Sequence, residues 1–117
     1  SLSVELLLTA RSLGLFDQIM ERYRLSYPEV AEFMARMLPD LPWRSARRSQ
    51  EMEELSATIK SLGRHPVMAR ASGKVLKRIG ELTQRLGWEE PGEGQLNLRD
   101  IIEKLYQGLK ESPDTIS

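Results

Sequence analysis

Two apolar stripes constrain this chain more than any other feature. Met52, Leu55, Ile59 and Leu62 recur at intervals of three, four and three residues, and Val75, Ile79, Leu82 and Leu86 at four, three and four. That is the repeat of a helix with one apolar side; a half-buried strand would alternate at every residue. No stretch alternates apolar and polar over six residues while rich in Val, Ile or Tyr. The expected fold is all-α, an irregular bundle of four or five helices. Stretches 43–62 and 66–86 are expected to form its central antiparallel pair, leucine stripe against leucine stripe, across the short turn from Gly63 to Pro66.

Three further segments complete the helical reading. The first covers 3–25, where Val4, Leu8, Leu15 and Ile19, with Leu7, Phe16, Met20 and Tyr23, fall near helical spacing; Gly14 marks either a break or a kink. The second follows Ser26 with Pro28 in its first turn, where the missing N–H costs nothing, and runs through Val30, Phe33, Met34, Met37 and Leu38. Pro39 ends it, and Asp40-Leu41-Pro42 is expected to be a stiff connector. The last covers 98–109, with Asn97 as N-cap and Asp100 at the positive end of the helix. Gly63 and Gly87 are expected to close the third and fourth helices, and 88–94, with Pro91, Gly92 and Gly94, to be a linker.

At 117 residues and 40% hydrophobic, the chain has material for one modest core, so a single helical domain over 1–110 with a flexible tail at 111–117 is expected. It starts at Ser1 rather than Met, the mark expected of a segment excised from a larger protein. The longest aliphatic run, Leu6-Leu7-Leu8, is far short of a membrane span and no basic region precedes it. The first segment is amphipathic, but Glu5, Asp17 and Glu21 accompany Arg11 and Arg22 on its polar side, which speaks against a membrane-surface helix. No cysteine is present, consistent with a cytoplasmic, reducing setting.

Composition also removes chemistry. Without cysteine there is no disulfide, no thiolate site and no Cys nucleophile, and the single histidine, His65, has no second ligand at metal-binding spacing. It precedes Pro66 and is expected in a turn. Ala71-Ser72-Gly73-Lys74 lacks the earlier glycine and the following Ser or Thr of a phosphate loop, and Gly92-Glu93-Gly94 has Asn97 where a dinucleotide fingerprint needs glycine. No Gly-x-Ser-x-Gly elbow exists. The carboxylates Glu51/Glu54 and Glu53/Glu54 sit beside Arg47 and Arg48 at ion-pairing spacing on a solvent face. Catalytic residues, cofactor-binding residues and metal ligands are therefore expected to be none, and the chain not an enzyme.

The overall charge of zero hides an uneven layout. Residues 1–43 carry four basic and six acidic groups, 44–85 ten and four, and 86–117 three and seven. Either the acidic ends fold back on the basic middle, or the middle faces an anionic partner. The leading expectation is a non-enzymatic helical protein-interaction module, a regulatory or adaptor domain or a small partner subunit. Arg44, Arg47, Arg48, Lys77, Arg78 and Arg85 would guide a protein partner; Trp43 and Trp88, flanking the two long helices, would anchor it. Five methionines fit an adaptable binding surface as well as they fit a core. A homo-oligomer follows if an apolar stripe is left uncovered. The alternative is a nucleic-acid-binding domain with a degenerate helix-turn-helix around 66–86. Gly73 would be its turn glycine, Ala69, Ile79 and Leu82 would point inward, and Lys77, Arg78, Gln84 and Arg85 would point out; Lys74 and Gly80 sit poorly in that pattern.

Overall fold

The computed structural model describes residues 2–91 and 97–111, and among them it contains helices and no strand. Six helices follow one another: α1 (Leu2–Ser12), α2 (Phe16–Ser26), α3 (Pro28–Met37), α4 (Leu41–Ser61), α5 (Val67–Arg85) and α6 (Leu98–Glu111). Residues 92–94 of the expected linker and the tail beyond Glu111 lie outside the described residues.

The first expected segment is two helices, because Gly14 ends α1. It adopts φ +71°, where a side chain is strained, and closes the helix with paired bonds from the Gly14 N–H to the Arg11 carbonyl (3.1 Å) and from the Leu15 N–H to the Ala10 carbonyl (2.7 Å). The same pair of bonds recurs at Gly63, so the turn between α4 and α5 is built as expected. Asp40-Leu41-Pro42 is only partly a connector: Leu41 and Pro42 already belong to α4, since a proline in the first turn loses no helical hydrogen bond. Asn97 caps α6, its Oδ1 accepting the Asp100 N–H at 2.9 Å.

These helices divide into two compact units, Pro42–Trp88 and the remainder. In the unit formed by α1, α2, α3 and α6, Leu7, Phe16, Met34, Leu98 and Ile102 make one core cluster, with Leu8, Ile19, Met20, Tyr23 and Leu38 packed at its edge. Leu105 and Ile101 on α6 and Val4 on α1 are also fully buried. At the surface the Arg11 guanidinium holds Glu103 with two hydrogen bonds, Nη2 to Oε1 at 3.0 Å, and lies 4.3 Å from the centre of the Tyr106 ring. That bond, reinforced by one from Gln107, drops the Glu103 carboxyl to about 2.

The other unit is the α4–α5 hairpin. The two helices are antiparallel as expected, but the leucine seam is not what joins them. Leu55 is 44% exposed and Leu62 72%, while Ile59 and Met52 are half-buried. The buried side of α4 is instead Ser45 and Ser49, and the facing side of α5 carries Gly73 and Gly80. A Cβ built on Gly80 would lie 3.2 Å from the Ala46 amide nitrogen, and one on Gly73 would lie 3.3 Å from the Met52 Cβ. Ser49 Oγ donates to the Gly73 carbonyl at 3.3 Å. Backbones this close need residues without bulk at the crossing, which is why serine, alanine and glycine occupy it. Val75, Ile79 and Leu82 are buried as the stripe predicts, but Leu86, its last member, is exposed.

Candidate functional site

Small residues at a helix crossing leave the surface above it hollow. Along one side of the α4–α5 pair two open cavities, of about 660 and 300 Å³, adjoin at Glu53 and Lys77. Their floor is Ala46, Ser49, Met52 and Ser56 from α4 with Ala69, Gly73, Gly80 and Thr83 from α5. Gln50 and Glu53 form the α4 wall. Arg70, Lys74, Lys77, Glu81 and Gln84 form the α5 wall. All of these residues fall within the Pro42–Trp88 unit.

The aromatic end is ordered by its own backbone. Gly87, at φ +65°, closes α5 with bonds from its N–H to the Gln84 carbonyl and from the Trp88 N–H to the Thr83 carbonyl (3.1 Å). Trp88 is thereby brought beside the start of α4, where Trp43 Nε1 donates to the Trp88 carbonyl at 3.0 Å. Both rings line the wider cavity and both residues remain half-buried. An indole already held by a hydrogen bond loses little freedom when a ligand arrives.

The opposite end is cationic. Arg70, Lys74 and Lys77 stand at i, i+4 and i+7 on α5, so they share one edge of the groove, all exposed. Among the described residues none of the three is in an ion pair. Glu53 faces them across the groove and Glu81 lies one turn beyond Lys77.

Of the eight residues singled out from the sequence, the groove gathers Trp43, Trp88 and Lys77. Arg44, Arg47, Arg48, Arg78 and Arg85 are not among its lining residues. Arg47 pairs with Glu51 on the same helix at 3.3 Å, and Arg48 and Arg78 are half-buried. The residues missed were Arg70 and Lys74. Their signal was present: each directly follows a small residue, Ala69 or Gly73, and so stands beside the helix crossing. The turn that a helix-turn-helix would need at Gly73 is absent, because α5 runs unbroken through it.

Residues 10–79, more than half of the chain, match a family described as "Domain of unknown function (DUF1932)". No curated protein and no solved structure matches the chain.

Proposed function

We propose that this chain, which belongs to the DUF1932 family, is a helical protein-interaction module whose α4–α5 groove docks an acidic amphipathic helix of a protein partner, binding rather than catalysing. The observation that carries this reading is the groove itself: a floor of small residues with an unpaired cationic edge at one end and two tryptophans at the other. A third helix can pack at an ordinary interaxial distance of about 8–10 Å only where the floor projects little. From Arg70 to Arg85, α5 rises about 22 Å at ~1.5 Å per residue, matching a guest of about four turns. Arg70, Lys74 and Lys77 would steer an acidic guest and set its direction, while Trp43 and Trp88 supply the desolvated contacts that hold it.

Glu53 and Glu81 are what favour an acidic helix over a nucleic acid. Two carboxylates in the groove repel a continuous phosphate chain, but a helix can place its own acidic residues beside the cations and its apolar ones elsewhere. The reading also places the module in the cytoplasm, in keeping with a chain that has no cysteine.

The chain's two tryptophans both line the groove, so intrinsic fluorescence reports on the site directly. Titration with an acidic amphipathic helical peptide free of aromatic residues is expected to give a saturable shift. It should weaken with added salt, and more than about tenfold in the K74E/K77E variant. No shift at low salt, equal binding by the variant, or a shift with short duplex DNA but not with the peptide would overturn the reading.

A further inference from the structure

Helix α3 leaves a second surface open, in the other unit and independent of the groove. Val30, Phe33 and Met37 recur at intervals of three and four residues on a helix of ten, and are 43%, 54% and 37% exposed; Tyr27, at the start of the helix, is 62% exposed. The core contacts of α3 are made from a different side, by Ala31, Met34 and Leu38. Large apolar groups aligned in this way on a short helix are a docking face rather than scattered surface residues.

The charges beside this row say what covers it. Glu29 and Arg36, seven residues apart, share one flank of the row, and Glu32 lies further round the same side. All three are exposed, and none is ion-paired among the described residues. The N-terminal half of the face is thus acidic and the C-terminal half basic, so the face is complementary to itself turned end for end. We infer that two copies of this chain pair through α3, antiparallel, about a two-fold axis near Phe33. A two-fold axis perpendicular to both helices brings the same flank of each together, so Glu29 of each copy lies level with Arg36 of the other. Phe33 meets its own counterpart at the axis, with Val30 and Met37 on either side. The antiparallel arrangement also sets the helix dipoles head to tail. A parallel pairing would carry the two charged flanks to opposite sides of the contact and leave Glu29 without Arg36 of the other copy.

Four side chains per copy make a contact below the size of standard interfaces, so the dimer is weak and depends on concentration. Sedimentation equilibrium of the whole chain over a hundredfold range upward from about 10 μM reads this directly. The expected result is a mass rising from monomer toward dimer. F33D is expected to stay monomeric throughout with an unchanged helical circular dichroism spectrum, since Phe33 lies outside the core cluster. Each single reversal, E29R or R36E, is expected to weaken pairing more than about tenfold, and the double reversal to restore it. A monomer at the highest concentration, a dimer indifferent to F33D, or a double reversal no better than the singles would overturn the inference.

Discussion

Around Leu7, helices α1, α2, α3 and α6 bring together Phe16, Met34, Leu98 and Ile102, whose side chains fill the space between helix axes. Between α4 and α5 the facing atoms belong to Ala46, Ser49, Met52, Gly73 and Gly80, and there the backbones themselves approach. One chain therefore holds its helices together by volume in one unit and by the lack of it in the other. In the first unit bulky apolar side chains from four helices meet in one core, and the apolar row of α3 stays outside it. In the second, Leu55 and Leu62 are left on the surface and a groove opens above the crossing, so the consequence of small-residue packing is a binding surface.

The comparison can be broken by substitution. The largest effect should come from emptying the filled core: L105A, at a fully buried position, is expected to cost about 2–5 kcal/mol in urea unfolding. Next is G80L, which adds bulk 3.2 Å from the Ala46 backbone, where nothing can rotate away; about 1–3 kcal/mol of overpacking is expected, in the same assay. L55A should change stability by no more than about 0.5 kcal/mol, because that side chain lies outside the crossing. A leucine seam would reverse the order of these last two.

Acid sharpens the other side of the comparison. Glu103 has its carboxyl held at about 2, against an ordinary 4.5, by the Arg11 hydrogen bond. Its depressed value means that the folded form is favoured by the charged carboxylate. The contribution is complete above pH 4.5 and is lost as pH falls toward 2. Both partners are substantially exposed, so the effect is the smallest of the set. Stability measured from pH 5 to pH 2 should fall less steeply in E103Q than in the parent chain.

Helix content, the antiparallel hairpin and the glycine ends at 63 and 87 were all legible in the residues, because periodicity and turn chemistry act locally. What failed was the choice of contact side. A leucine stripe and a small-residue stripe occupy different sides of the same helix, and apolar periodicity is blind to a contact made of serine and glycine. In the sequence Ala69 and Gly73 read as parts of a helix-turn-helix pattern, and the apolar repeat points to Leu55 and Leu62 as the seam. The groove is hard to read from the sequence for the same reason: Arg44 and Arg48 belong to the same basic stretch as Arg70, Lys74 and Lys77, and only the position of the small residues sets the last three beside the groove. Trp43 and Trp88 were legible because each lies at a helix end, and their hydrogen bond depends on the Gly87 turn.

The close crossing of α4 and α5 is the claim from which the groove follows, and the chain's lack of cysteine makes it directly testable. A Cβ on Gly80 lies 3.6 Å from the Ala46 Cβ, within the span a disulfide bridges. In the A46C/G80C variant, air oxidation should produce a monomer without free thiols, lighter by two hydrogen atoms in intact mass. A variant that retains both thiols, or oxidises only between molecules, would contradict the crossing and the groove built on it.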